Sequence, residues 1–152
     1  MDFVNSKKIM SELVKNFYAK NKFQPWNVCD YDNISKLVIF NGHSIFRVFK
    51  DNFLPIAENE VGFKKDVLMK AFNIDLTDYK KSEKIEVNAK YDDVHKKFFD
   101  CLDDKIYFDN DLLKYLDKKQ KYDFYYKAEK QPIFVKCGDY TVAMILPVNI
   151  RK

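Results

Sequence analysis

The first apolar pattern along the chain lies between Ser6 and Lys20, where apolar residues recur at i, i+1, i+4, i+5, i+8 and i+9. This is the spacing of one face of an amphipathic helix. Lysines occupy the opposite face, and Asn5 or Ser6 can cap the first turn. The pattern predicts a helix whose buried face carries Ile9, Met10, Leu13, Val14, Phe17 and Tyr18.

Two apolar runs, KLVIF and SIFRVF, flank Asn41-Gly42. An Asn-Gly pair tolerates the positive φ angles of a two-residue type I′ turn, so the segment predicts a β-hairpin. In that register Leu37 lies opposite Phe46, and Val38 lies opposite Ile45. A second stretch of helical spacing predicts a helix near residues 62–72.

The second half begins with the short strand KIEV and is predicted to continue as a third helix, from Lys90 to Leu102. Tyr91, Val94, Phe98 and Leu102 recur there at helical spacing, and Asn88 can cap the helix. Alternating segments then predict strands at KIYF, KYDFYYKA, PIFVK and TVAMILPV. The order of elements predicts a single α+β domain, residues 1–152, with pseudo-repeat halves at about 1–60 and 84–150.

The last strand is the most apolar segment of the chain. Residues 142–146, VAMIL, carry no charge, and Pro147 ends the run. Such a run is typical of a strand that is buried on both faces. Alternation predicts that Met144 and Leu146 share one face and that Ala143 and Ile145 share the other.

Composition excludes several classes of protein. The chain has 152 residues, 47% of them hydrophobic, which is enough to build a core without disulfide bonds or a structural metal ion. Its three cysteines and two histidines form no zinc pattern, and its three glycines form no nucleotide loop. We therefore expect free thiols and neither a metal nor a cofactor. No apolar stretch is long enough to span a membrane, and a cytoplasmic location is expected.

Positive charge is concentrated in the first third. Residues 1–50 carry eight Lys/Arg against four Asp/Glu, and the rest balance at nineteen against nineteen. A basic helix surface attracts the DNA backbone, so weak, sequence-independent DNA contact is predicted. Only Arg47 and Arg151 are arginines, which disfavours base recognition. The predicted contacts are Lys7, Lys8, Lys15 and Lys20.

The segments KIEVNAKYDDVHKKFFDCLDDKIYF and QPIFVKCGDYTVAMILPVNI carry a family resemblance. The positions that match are Asn88, Lys90 and Tyr91, the pair Leu102-Asp103, Pro132, and the ending from Ile145 to Ile150. On these residues the stretch 84–150 resembles the closing part of the bacterial DNA polymerase sliding clamp. It departs from that family at Leu146, at Asn149 and in an insert around residues 109–119.

The resemblance implies a clamp-like architecture, a duplicated βαβββ unit with two helices packed on one face of a mainly antiparallel sheet. It also implies a non-enzymatic module that docks short hydrophobic peptides in a replication or mobile-element setting. The peptide-binding residues would be Met144, Leu146, Pro147 and Val148.

Two alternatives of different classes remain. One is a small enzyme that uses His95 and nearby carboxylates, since histidine is the commonest general acid or base. The other is a regulatory interaction protein with no link to DNA. The acidic pairs at residues 92–93, 103–104 and 109–111 lie at predicted element ends, where Asp is favoured for capping.

Overall fold

The computed structural model describes residues 3–18, 27–40, 44–53 and 65–148. The helices are α1 (Ser6–Tyr18) and α2 (Lys65–Phe72), with 3-10 helices at Lys50–Asn52 and Asn110–Tyr115. The strands are β1 (Asn27–Asp30), β2 (Ser35–Phe40), β3 (Ser44–Phe49), β4 (Lys80–Lys81), β5 (Ile85–Asp92), β6 (Lys97–Leu102), β7 (Ile106–Asp109), β8 (Asp123–Tyr126), β9 (Ile133–Cys137) and β10 (Tyr140–Ile145).

The strands form two antiparallel sheets. One has seven strands in the order β1-β2-β3-β10-β9-β8-β4, and the other has three in the order β5-β6-β7. The predicted α+β class with mainly antiparallel strands is confirmed. Helix α1 is also confirmed: Ile9, Met10 and Leu13 are buried, and the Asn5 side chain accepts a hydrogen bond from the Lys8 amide at 3.2 Å.

Two clusters of apolar side chains cover the two faces of the seven-stranded sheet. The main cluster joins that sheet to α1, to the three-stranded sheet and to the 3-10 helix at Asn110–Tyr115. The second cluster packs Phe72 of α2 against Leu37, Ile39 and Ile45. The strands in the middle of this sheet are therefore buried on both sides.

The β2–β3 hairpin forms, but its predicted register is wrong by one residue. Phe40 lies opposite Ser44, Val38 opposite Phe46, and Leu37 opposite Arg47. Three residues, 41–43, therefore separate the last paired positions, where two were predicted. The Asn41-Gly42 turn itself lies outside the described residues.

The prediction of a third helix at residues 90–102 is wrong, because residues 85–102 form the β5–β6 hairpin. Tyr91 and Phe98 face each other across the two strands with ring centroids 4.9 Å apart, and a spacing of seven residues fits this pairing as well as it fits a helix. Asp92 starts the turn by accepting from the Val94 amide at 2.9 Å, and Lys96 has φ 52°. Val94, expected on the buried stripe, is exposed.

Asn88 is likewise not a helix cap. It lies in a bulge of β5 with φ 55°, a conformation that Asn adopts more readily than most residues. With no helix between β5 and β7, the described second half has no βαβββ unit, and the predicted duplication with two helices on one face is wrong.

The prediction that the last strand is buried on both faces is confirmed, but its alternation is kept only in part: the register shifts between Thr141 and Ala143, Val142 belongs to the same cluster as Ala143 and Ile145, and Leu146 does not share a strand face with Met144. Strand β10 lies between β3 and β9, and both faces are apolar. Ala143 and Ile145 belong to the main cluster, while Met144 packs against the second cluster. Leu146, just beyond the strand, is exposed.

Candidate functional site

A cavity of about 770 Å³ lies where the three-stranded sheet meets the β4–β8 edge of the larger sheet. We call it the inter-sheet cavity. Its wall comes from β4, from β7 and the turn before it, from β8 and the loop after it, and from Val148. The lining residues are Lys80, Asp104, Lys105, Ile106, Tyr107, Tyr126, Lys127, Ala128, Glu129 and Val148.

Asp103 anchors the β6–β7 turn, whose residues Asp104 and Lys105 line the inter-sheet cavity. Asp103 and Asp104 have φ angles of 50° and 59°, which makes the β6–β7 connection a tight turn. Asp103 Oδ1 accepts hydrogen bonds from the Glu83 amide at 2.9 Å and from the Lys84 amide at 2.8 Å. The turn is thereby attached to the segment that joins β4 to β5.

The second oxygen of Asp103 reaches the larger sheet. Tyr126 donates its hydroxyl to Asp103 Oδ2 at 2.8 Å, and Lys80 Nζ lies 3.8 Å from the same oxygen. Lys80 and Tyr126 are opposite each other on β4 and β8. One nearly buried carboxylate therefore holds the two sheets together at the cavity.

The protonation of these groups suits a structural role. Burial by itself raises the pKa of Asp103, but hydrogen bonds led by that from the Lys84 amide lower it below its ordinary value. Burial, together with the hydrogen bond to Asp103, raises the pKa of Tyr126, and Tyr126 in turn raises the pKa of Lys80. Each of these shifts moves the pKa further from pH 7, so none of the three groups exchanges a proton readily at that pH.

The segment after β10 brings one predicted peptide-binding residue to the cavity. Val148 donates its amide to the Tyr107 carbonyl at 2.7 Å and lines the cavity. Met144 instead packs against the second cluster, and Leu146 and Pro147 are not among the described lining residues. Of the four residues that the resemblance groups together, Val148 is the one that lines the cavity, and Met144 packs elsewhere.

Charge on the cavity wall is uneven. Three lysines, Lys80, Lys105 and Lys127, lie among the lining residues against two carboxylates, Asp104 and Glu129. Ile106, Tyr107 and Val148 supply apolar surface. Lys80 already pairs with Asp103 at 3.8 Å, so Lys105 and Lys127 are the lining cations left to contact a ligand. A cavity with an apolar wall and these two cations favours a ligand that has an apolar part and a negative charge.

The predicted DNA-binding lysines are only partly described. Lys7, Lys8 and Lys15 are exposed on α1, while Lys20 lies outside the described residues. Lys15 Nζ is 3.7 Å from Glu12, a surface pair that contributes little to stability. Lys7 and Lys15 also border a depression of about 460 Å³ beside Met10 and Val14.

His95 lies in the exposed β5–β6 turn. Its Nδ1 is 2.7 Å from Asp92 Oδ2, and this hydrogen bond is the first cause that lowers the pKa of Asp92. The same carboxyl group caps the turn. The pair therefore has a local structural role, and neither residue is among those that line the inter-sheet cavity.

Arg47 is a buried cation whose surroundings the sequence did not reveal. Its Nη2 donates to Asp32 Oδ2 at 2.7 Å, and its Nε donates to Ser35 Oγ at 2.9 Å. The guanidinium carbon lies 4.6 Å from the Phe3 ring centroid and 4.7 Å from that of Tyr31. A single Arg inside the apolar run SIFRVF was the available signal.

Comparison with protein families, with curated proteins and with solved structures found no match. Among the described residues no helix is long and apolar enough to cross a membrane. The same part of the chain contains no group of three or more His, Cys, Asp or Glu residues arranged to hold a metal ion. No disulfide bond joins any of Cys29, Cys101 and Cys137.

Proposed function

We propose that the protein is a non-enzymatic binding module that docks a short peptide in the inter-sheet cavity. The observation that supports this most directly is the cavity itself, with its apolar wall and three lysines. A peptide would place one apolar side chain against Ile106, Tyr107 and Val148, and a carboxylate near the lysines. Burial of one side chain contributes only about 1.5–3 kcal/mol, and a millimolar dissociation constant needs about 4 kcal/mol, so contacts with the lysines must contribute too and the expected affinity is weak, high micromolar to millimolar.

Substitution at Val148 tests where the peptide binds. Val148→Arg fills the apolar wall with a charged side chain, and we expect at least a tenfold loss of affinity for a labelled peptide with a Leu anchor and acidic flanks. Leu146→Arg is the matched control, because Leu146 is exposed and is not among the described lining residues. Fluorescence anisotropy measures both. Equal loss in the two variants would place the peptide outside the cavity.

The lysines test the chemistry of the ligand. In the Lys105→Glu, Lys127→Glu double variant the acidic peptide should bind more weakly, and a peptide with Lys flanks should gain affinity. A variant with Lys118→Glu and Lys130→Glu carries the same change in net charge on exposed residues that are not among the described lining. If neither peptide binds the wild-type protein at millimolar concentration, the proposed function is wrong.

The sliding-clamp resemblance does not support this proposal, because the third helix that it requires, at residues 90–102, is replaced by the β5–β6 hairpin. A replication or mobile-element setting rests on that resemblance alone and stays a prediction. The enzyme alternative rests on the His95–Asp92 pair, and a regulatory role without DNA would use the same cavity.

Weak DNA association is a second proposal, supported by the exposure of Lys7, Lys8 and Lys15 on α1. About three phosphate contacts give a slope of roughly −2 to −3 for log affinity against log salt concentration. Changing the three lysines to Glu should abolish binding of a random duplex, measured by anisotropy. The variant with Lys118, Lys119 and Lys130 changed to Glu is the control for net charge. Equal loss in both variants would contradict a site on α1.

A further inference from the structure

Exposed apolar side chains are concentrated on the β5–β6 hairpin. Of the ten large apolar residues that are exposed in the described part of the chain, five lie on this hairpin. Strand β5 is also the outer strand of the three-stranded sheet, and no described strand pairs with its outer edge. Apolar surface beside an unpaired strand edge favours pairing with another strand. The five residues are Ile85, Val87, Tyr91, Val94 and Phe98.

The sequence of β5 is complementary to itself. When KIEVNAKYD is placed antiparallel to a second copy with Asn88 opposite Asn88, each charged residue lies opposite the other sign. Glu86 lies opposite Lys90 and Lys84 opposite Asp92, while Ile85 lies opposite Tyr91. Opposite charges and apolar pairs directly across two strands stabilise the pairing, and like charges oppose it.

The bulge in β5 is compatible with this arrangement. Glu86 lies opposite Cys101 on β6 and Lys90 opposite Phe99, so the two residues occupy the same face of the sheet on either side of the bulge. Asp100 holds the bulge by accepting from the Asn88 amide at 2.8 Å. In this arrangement the bulge residues between Glu86 and Lys90 of one copy therefore lie opposite the bulge residues of the other copy, at the two-fold axis.

We propose that the protein associates with a second copy of itself through the outer edge of β5, which joins two three-stranded sheets into a six-stranded one. Main-chain hydrogen bonds between the two β5 strands supply affinity, and the Glu86–Lys90 contacts set the register. The Glu86–Lys90 contact occurs twice in the dimer because the interface is two-fold symmetric. Lys84 and Asp92 already contact Asp104 and His95 in their own chain, so the Glu86–Lys90 contact is the sharper test.

Sedimentation velocity of the full chain over a concentration series tests the interface. Glu86→Lys places Lys opposite Lys90 of the other copy, and Lys90→Glu places Glu opposite Glu86. Each single change should raise the dimer dissociation constant about tenfold or more, because two attractive contacts become repulsive. Circular dichroism serves to verify that the variants keep the fold.

Mixing the two single variants in equal amounts should restore the dimer, because every like-charge contact then becomes an opposite-charge one. The double variant, Glu86→Lys with Lys90→Glu, should also dimerise alone at about the wild-type concentration. A wild-type chain that stays monomeric at several hundred micromolar overturns the proposal. So does a mixture that sediments as two monomers, or a pair of single variants that dimerise as the wild type does.

Discussion

Replacing Arg47 with Ala is expected to lower the free energy of unfolding by about 3 kcal/mol, the lower end of the loss for a buried ion pair, because Arg47 is buried but its partner Asp32 is 36% exposed. Arg47 is 6% exposed and makes hydrogen bonds to both Asp32 and Ser35. Its planar guanidinium also lies against the Phe3 and Tyr31 rings. The Ala variant loses these contacts together, and urea denaturation measures the difference.

Arg47→Lys separates charge from shape. Lys keeps the positive charge but not the planar group that contacts two rings and two oxygens, so an intermediate loss is expected. Lys50→Ala is the control, because Lys50 is a partly exposed cation whose pair with Asp30 is 3.8 Å long. It should cost less than about 1 kcal/mol. Equal losses for the Arg47→Ala and Lys50→Ala variants would show that the buried cluster does not hold the fold together.

Replacing Asp103 with Ala is the second change with a large expected effect, a loss of about 3 kcal/mol in the free energy of unfolding. The carboxylate of Asp103 is 10% exposed and accepts hydrogen bonds from two amides and from Tyr126. Hydrogen bonds to a charged group contribute about 1.5–3 kcal/mol each but are not additive. Asp104→Ala is the matched control, because Asp104 is exposed and has a similar positive φ. A similar loss of unfolding free energy in both variants would show that the effect comes from the turn backbone and not from the Asp103 carboxylate.

Acid should destabilise the protein partly through Asp103. Its folded-state pKa is lowered below the ordinary 3.8, so its contribution is fully present above that value and is lost as pH falls through the folded pKa. Asp103→Asn removes this titration, and its stability should fall less steeply below pH 4 than that of the wild-type protein. Thermal melts from pH 7 to pH 2 measure the slope. Parallel curves would contradict the assignment.

Local periodicity was enough to predict the parts of the fold that depend on one face of one element. Helix α1 and strand β10 follow from the spacing of their apolar residues, because each buries those residues against the core. The prediction of a helix at residues 90–102 was wrong because the seven-residue spacing of Tyr91 and Phe98 fits both a helix and a hairpin. The Asp-Asp-Val-His-Lys turn decides between the two, and its Asp cap was the signal that the periodicity obscured.

The inter-sheet cavity could not be predicted in the same way. Lys80, Tyr126 and Val148 are far apart in sequence and meet only because the two sheets pack at that edge. The resemblance indicated Val148 but grouped it with Met144. The Met144 side chain packs instead against the second cluster, with Leu37, Ile39 and Ile45. The role of Asp103 was hidden for a similar reason: a turn carboxylate and a capping carboxylate look alike in sequence, and its partners lie on other strands.

The position of β10 also bears on how the chain folds. Among the described strands, β1, β2 and β3 connect to the rest of their sheet only through β10, and Phe46 of β3 lies opposite Ala143. The β2–β3 hairpin can form early from local contacts, whereas β3 must wait for a strand that emerges from the ribosome nearly a hundred residues later (143 − 46 = 97). Contacts this distant slow folding. Until β10 is synthesised, the apolar residues of β3 therefore lack this neighbour, and apolar surface exposed in this way during synthesis is prone to aggregate.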